Sequence, residues 1–111
     1  MQDCVFCNII ARTIDSEILL ENDDVIVIRD ILPKAPIHLL VIPKKHILSI
    51  NHLGEDEVAL GGKMLAAAKT MAEKMGFADK GYKLQFNVGK DGGQVIPHLH
   101  LHILAGKKFG E

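Results

Sequence analysis

The chain has 111 residues, of which 48% are hydrophobic and 24% charged, and its formal net charge is −1. This composition predicts one globular domain, residues 1–111, that buries roughly two thirds of its unfolded surface without needing disulfides or a metal. The near-zero charge argues against a nucleic-acid partner. Because the chain has no run of about 20 apolar residues and no signal peptide, we expect no membrane association.

The first half of the chain predicts a short helix and three strands. Residues 4–11 favour a helical turn and residues 17–21 a strand. Residues 25–28 are four β-branched apolar residues, which predict a strand buried on both faces. Two prolines make residues 31–36 a loop, and residues 37–43 predict a third strand.

The second half predicts one long helix over residues 55–75, because apolar residues recur there every three or four positions and Gly76 follows. Gly61 and Gly62 each weaken this helix by about 1 kcal/mol relative to alanine, so we expect another element, such as a second subunit, to pack closely there. Residues 82–88 alternate between apolar and polar, which predicts a half-buried strand.

A glycine-rich loop over residues 89–97 leads into a final strand over residues 98–104. Several strands with one long helix between them predict an α+β domain with a mainly antiparallel sheet. The two cysteines, Cys4 and Cys7, are too few for a secreted disulfide framework. They suit a reducing compartment, and we predict a cytoplasmic protein.

Three histidines alternate with apolar residues at the end of the chain: His98, His100 and His102. On a strand, all three imidazoles would project from one face. Such a row could ligate a catalytic zinc, or one imidazole could act as a nucleophile. A merely solvated sheet face is a weaker explanation, because three protonated imidazoles repel one another.

The preceding loop, residues 89–94, contains three glycines, whose backbone amides can converge on an anion. Alone, the loop is more readily explained as a flexible connection between strands. Beside a row of histidines, it favours a phosphate site.

These residues resemble a known family. The run HLHLHIL at 98–104 resembles the signature of the histidine triad (HIT) nucleotide-binding proteins. Residues 30–47 and 87–104 are similar to the Hint branch of that family, and residues 4–10 resemble its N-terminal segment. The resemblance implies a HIT fold with one long helix and an antiparallel sheet that extends across a homodimer.

The activity implied by the resemblance is that of a purine nucleoside phosphoramidase, which needs no cofactor for catalysis. Such an enzyme hydrolyses the P–N bond of adenosine or guanosine 5′-phosphoramidates through a nucleotidyl-histidine intermediate. His100 corresponds to the nucleophile, and His102 to the residue that contacts the phosphate and helps protonate the leaving amine. His38 corresponds to a residue that supports the nucleophile, and His98 completes the catalytic set.

The resemblance also assigns the substrate contacts. Asp30 corresponds to the carboxylate that accepts the ribose hydroxyls, and Asn87 lies on the phosphate side. Backbone amides near Gly93 and Val95 would hold the phosphate oxygens. The remaining assigned residues are the apolar walls of the base pocket and one loop residue, namely Phe6, Ile9, Ile28, Ile31, Leu40 and Gln94. Val95 stands where the family commonly has a serine, so a hydroxyl group is missing at the phosphate.

Some relatives with this N-terminus bind a structural zinc, and the matching residues here are Cys4, Cys7, His46 and His98. A Cys₂His₂ set closes a tetrahedral site with no open position. The alternative is two reduced thiols and two unrelated histidines. His52 is expected to be a surface residue.

Three other functions stay open at this stage. The same triad supports a dinucleoside polyphosphate hydrolase or a nucleotidyl transferase. A nucleotide-binding adaptor with little catalysis would keep the cleft without turnover. A metal hydrolase would place a catalytic zinc on His98, His100 and His102.

Overall fold

A five-stranded sheet is the centre of the structure, a computed structural model that describes residues 3–111. Its strands are β1 (Ile18–Glu21), β2 (Val25–Arg29), β3 (Ile37–Pro43), β4 (Lys83–Gln85) and β5 (Leu101–Ala105). They lie in the order β1-β2-β3-β5-β4, and every neighbouring pair is antiparallel. The prediction of an α+β domain with a mainly antiparallel sheet is confirmed.

Two α-helices accompany the sheet, α1 (Val5–Ile10) and α2 (Val58–Met75). Short 3-10 turns at Ile50–His52 and Glu55–Glu57 precede α2. The predicted helix over 55–75 is therefore correct except for its first turn. It ends at Gly76, whose φ of 81° favours glycine. No helix within residues 3–111 has both the length and the apolar character needed to cross a membrane.

The sheet is buried on both faces. On one face, alternate residues of β2, β3 and β5 pack against Met64, Ala68 and Met71 of α2. On the other face, the intervening strand residues pack against Phe6 and Ile9 of α1. This explains why residues 25–28 are apolar at every position, as the sequence predicted.

The strand containing the triad begins later than predicted. β5 starts at Leu101 rather than at residue 98, because the N–H of Leu99 donates to the carbonyl of Ile47 at 2.7 Å and not to the sheet. The N–H of His98 turns back to the carbonyl of Ile96. His98 and His100 therefore precede the strand, although the ring of Phe6 in α1 contacts both of their imidazoles.

The predicted strand over 82–88 is also shorter, since β4 spans only Lys83–Gln85. β4 lies at the sheet edge and pairs with β5 alone. Its central residue, Leu84, is 38% exposed. The close neighbour expected at Gly61 and Gly62 does not come from residues 3–111, because no atom outside the adjacent residues and the backbone of α2 itself lies within 4 Å of a Cβ built at either glycine.

Candidate active site

A cleft of about 360 Å³ opens on the α1 face of the sheet. Its polar groups include Asp30, His38, His100 and His102. Its apolar walls include Phe6, Ile9, Ile28, Ile31, Leu40 and Val95. The cleft thus combines an apolar pocket with one carboxylate and three imidazoles.

The cleft brings together most of the residues that the sequence assigned to catalysis and substrate. Asn87 and Gly93 also line it. Gln94 and His98 do not belong to its lining. Residues that the sequence analysis missed include Lys34 and Gln85. Gln85 could have been found, because it lies on the polar side of the predicted strand over 82–88, and the sheet pairs it with His102.

His100 has its protonation fixed by the backbone. Its Nδ1 lies 2.7 Å from the carbonyl oxygen of His98. A carbonyl can only accept, so Nδ1 carries the hydrogen and the lone pair of the neutral ring is on Nε2. Burial lowers the pKa of His100 below its usual value of 6.5, which favours that neutral form. The ring of Phe6 packs edge-on against His100 with centroids 5.1 Å apart.

His38 and His102 form a second, ordered pair. The backbone N–H of Lys34 donates to Nδ1 of His38 at 3.0 Å, so the hydrogen of neutral His38 is on Nε2. This Nε2–H lies 2.9 Å from Nδ1 of His102, which accepts. Neutral His102 therefore carries its own hydrogen on Nε2. Burial, together with the neighbouring His100 and His38, lowers the pKa of His102 to about 4.

Asp30 follows the end of β2 and holds the loop that leads to β3. One carboxylate oxygen, Oδ1, accepts from the N–H of Leu32 at 2.9 Å. The other, Oδ2, lies 3.3 Å from Nε2 of His38. The same carboxylate lines the cleft, where it can accept further hydrogen bonds from a ligand.

The glycine-rich loop is tightly turned. A Cβ at Gly92 would lie 2.2 Å from the carbonyl oxygen of Val88, so no other residue fits without a backbone shift. The N–H of Gly93 donates to the carbonyl of Lys90. The N–H of Val95 has no acceptor within residues 3–111, while the Val95 side chain is 89% exposed at the cleft.

A separate cluster of sulfur and nitrogen atoms, from Cys4, Cys7, His46 and His98, lies outside the lining of the cleft. Nδ1 of His98 is 3.2 Å from Sγ of Cys4, 3.6 Å from Sγ of Cys7 and 3.1 Å from Nδ1 of His46. Sγ of Cys7 is 3.2 Å from Nδ1 of His46. Nε2 of His98 donates to the carbonyl oxygen of Pro43, which leaves the lone pair of His98 on Nδ1, facing the other three atoms.

The shape of this cluster suits zinc. The four candidate ligand atoms all lie within 4.8 Å of one another. A tetrahedral zinc with ordinary bond lengths would separate its ligands by about 3.3 to 3.8 Å, close to the distances found here. Burial and the neighbouring Cys4 raise the pKa of the Cys7 thiol above its usual value.

The structure does not bring the triad together as a metal site. The Nδ1 lone pair of His98 faces the cysteines, whereas His100 and His102 face the cleft with ring centroids 5.0 Å apart. Asp30, His38 and His102 do form a second group of close donor atoms. There, however, the Lys34 N–H keeps the hydrogen of His38 on Nε2, so that atom has no lone pair for a metal.

Known proteins resemble this chain along nearly its whole length. A family model described as "scavenger mRNA decapping enzyme C-term binding" matches residues 3–110. Protein HitA of Neisseria gonorrhoeae is 40% identical over 104 residues, 94% of this chain and 96% of that protein. A purine nucleoside phosphoramidase of Escherichia coli K12 is 38% identical over 109 residues, 98% of this chain and 92% of that protein.

Solved structures also resemble this chain along nearly its whole length. A histidine triad protein from Clostridium difficile superposes with a TM-score of 0.97 at 39% identity, covering 100% of this chain and 96% of that one. A HIT family hydrolase from Legionella pneumophila gives 0.93 at 42% identity, covering 96% of this chain and 95% of that one. The fold and the similarity to these proteins define a hydrolase. The chain belongs to the histidine triad (HIT) family.

Proposed function

We propose that the protein hydrolyses the P–N bond of purine nucleoside 5′-phosphoramidates. The observation that carries the proposal is the hydrogen bond from Nδ1 of His100 to the carbonyl of His98, which places a lone pair on Nε2 of a buried, neutral imidazole. This group is suited to attack phosphorus at neutral pH. The similarity to a purine nucleoside phosphoramidase supports the substrate class.

In the first step, Nε2 of His100 attacks the α-phosphorus and the P–N bond breaks. The leaving nitrogen takes the bond electrons and needs a proton. Neutral His102 carries its hydrogen on Nε2 and can transfer it to the leaving nitrogen as the bond breaks, while its Nδ1 still accepts from His38. His38 holds His102 in this orientation through the bond to Nδ1.

In the second step, water attacks the phosphorus of the nucleotidyl-histidine and His100 leaves. The proton released by the water returns to His102, so the cycle closes with a nucleoside monophosphate, an amine and unchanged protein. In this proposal Asp30 accepts from the ribose hydroxyls and the apolar wall of the cleft holds the base. The N–H of Val95 is suited to bind a phosphate oxygen, in place of the hydroxyl that a serine would offer.

We further propose that Cys4, Cys7, His46 and His98 hold a structural zinc. All four ligands would come from the protein, so the ion would serve to join α1, the segment after β3 and the start of the triad. No step of the reaction passes through it. A protein with two such thiols suits the reducing cytoplasm.

We also propose a homodimer. Leu84 is exposed on the edge strand β4 and pairs in register with Ile103, so both point to the α2 face of the sheet. On α2 itself, Val58 and Leu65 are exposed with Gly61 and Gly62 between them, at helical spacing. We propose that a second copy covers these exposed apolar residues on β4 and α2.

The test is to capture the intermediate. We expect wild-type protein quenched during turnover of an adenosine phosphoramidate to carry one adenylate on His100, detected by mass spectrometry of peptides. His100→Ala should lose turnover while it keeps affinity for AMP, because the nucleophile acts mainly on the transition state. His52→Ala, which changes an exposed histidine, is the control.

Three results would contradict the proposal. Substantial turnover by His100→Ala would exclude the covalent route. Tight AMP binding by the wild type with no turnover and no adenylated histidine would favour the adaptor. Faster cleavage of a dinucleoside polyphosphate than of phosphoramidates would favour the alternative hydrolase.

A further inference from the structure

The side chain of Gln94 faces away from the cleft, although both of its neighbours line it. Its Oε1 accepts from the N–H of Gly89 at 3.2 Å. Its Nε2 donates to the carbonyl of Leu48 at 2.6 Å and to that of Ile96 at 3.0 Å. The amide therefore uses both hydrogens and its oxygen within the protein, which leaves it poorly placed to contact a ligand.

These bonds tie the glycine-rich loop to the body of the protein. The other loop bonds are local: Gly93 to Lys90, the Gln94 backbone to Gly89, and Nδ2 of Asn87 to the carbonyl of Gly92. The bond to Leu48 reaches the segment after β3 instead. That segment also holds the start of the triad, because the carbonyl of Ile47 accepts from the N–H of Leu99.

One segment thus fixes the position of both the loop and the residues around His100. Val95, next to Gln94 in the chain, lines the cleft, and its N–H has no acceptor within residues 3–111, so it can donate to a phosphate. The distance between the Val95 N–H and Nε2 of His100 depends on the hydrogen bonds that fix the loop to the rest of the protein. A displacement of about 1 Å at a catalytic donor can cost about a hundredfold in rate.

We propose that Gln94 is a positioning residue that aims the Val95 N–H at one non-bridging oxygen of the reacting phosphate. The proposal rests on the proposed function and replaces the expectation that Gln94 contacts the substrate. The lost serine hydroxyl makes this residue more important here, because the backbone donor then has no side-chain donor beside it at residue 95.

The experiment uses two substitutions at Gln94. Gln94→Met keeps the side-chain length but removes all three hydrogen bonds. Gln94→Glu keeps the acceptor for Gly89 but sets a carboxylate against the carbonyls of Leu48 and Ile96. Lys90→Ala is the matched control, because Lys90 is exposed in the same loop and lies outside the cleft lining.

The substrates are the two diastereomers of an adenosine 5′-phosphorothioamidate, in which sulfur replaces one or the other non-bridging oxygen. We expect both Gln94 variants to lose about tenfold or more in kcat. The ratio of kcat/KM between the diastereomers should change by about fivefold or more, because a displaced donor no longer distinguishes the two oxygens. Lys90→Ala should match the wild type in both measurements.

An unchanged diastereomer ratio would overturn the proposal, even if turnover slowed, since lost stability alone lowers rates for both substrates equally. A loss of AMP affinity at unchanged kcat would instead make Gln94 a ligand contact. Wild-type protein that cleaves neither diastereomer nor the plain phosphoramidate would contradict the proposed function.

Hydrogen–deuterium exchange tests the positioning without turnover. We expect the amides of residues 86–96 to exchange faster in Gln94→Met, while peptides from the rest of the chain match the wild type. Faster exchange throughout the chain, or unchanged exchange in the loop, would overturn the positioning role.

Discussion

Backbone groups decide where each cleft histidine carries its hydrogen. A carbonyl accepts from Nδ1 of His100, and a backbone N–H donates to Nδ1 of His38. These two opposite contacts give the two rings opposite tautomers. As a result, His100 presents a lone pair and His102, which accepts from His38, presents a hydrogen. In the proposed reaction, this main-chain geometry suits His100 to the role of nucleophile and His102 to that of proton donor.

The acid limb of the pH profile should lie below the usual imidazole range. Burial lowers the pKa of His38 and His100, and lowers that of His102 to about 4, so these rings stay neutral as the pH falls through 6.5. We expect kcat/KM for an adenosine phosphoramidate, which reports the free enzyme, to stay constant from about pH 8 to 6.5 and to decline below that. An acid limb centred at or above 6.5 would contradict the neutral, buried histidines.

Asp30 gives a sugar-specific prediction. Asp30→Ala should weaken binding of ribonucleotides by about 1.5 to 3 kcal/mol and that of 2′-deoxyribonucleotides by much less, because a charged hydrogen bond to the hydroxyl is lost. Calorimetric titration with AMP and dAMP measures this difference. Asp30→Asn is the control for folding, since it retains an oxygen for the N–H of Leu32. Equal losses for both sugars would remove Asp30 from the ribose site.

At the scale of elements, the sequence predicted the strands that depend on local composition. The β-branched residues at 25–28 and the apolar run at 37–43 both form strands. The triad did not form the predicted continuous strand, because the N–H of Leu99 bonds to Ile47, more than fifty residues earlier. Alternation along the chain cannot reveal such a distant partner.

In the candidate site too, local sequence patterns predicted some features, whereas contacts with distant segments could not be predicted. The alternating histidines predicted a cleft with imidazoles, and two of the three are there. The position of His98 among Cys4, Cys7 and His46 came only from the family resemblance, because no local pattern links residues so far apart. The role of Gln94 could not be predicted either, since its acceptor at Leu48 belongs to another segment.

The cluster of Cys4, Cys7, His46 and His98 joins three segments, so the zinc proposed there should stabilise the fold. We expect about one zinc per chain by elemental analysis, and a lower thermal midpoint after chelation, because zinc bound only to the folded state stabilises it. Turnover should persist in chelated protein that remains folded, since Nε2 of His100 is free of the cluster.

Cys7→Ser is the matched variant for this prediction. Its thermal midpoint should be lower than that of the wild type and should respond little to chelator. Folded, chelated wild type that has lost all activity and regains it with zinc would support the zinc hydrolase instead. Native protein without zinc would remove the structural site alone.

For the whole molecule, the exposed apolar residues Leu84 on β4 and Val58 and Leu65 on α2 favour an assembly of two copies. Exposed apolar residues that cluster on one side commonly mark an interface. Pairing of two β4 edges would also satisfy backbone groups that an edge strand leaves open. We therefore expect sedimentation equilibrium to give twice the chain mass. Leu84→Lys should shift the protein to the monomer, because it sets two like charges against each other across a twofold axis.

The control for this substitution is Leu48→Lys, which adds the same charge at a residue of similar exposure away from β4, 43% against 38%. It should leave the dimer intact. Thermal unfolding separates lost assembly from lost folding, since a dimer-dependent midpoint rises with protein concentration and a monomer's does not. We expect that concentration dependence in the wild type and in Leu48→Lys, and its loss in Leu84→Lys. A wild type that sediments as a monomer, with a midpoint independent of concentration, would contradict the dimer.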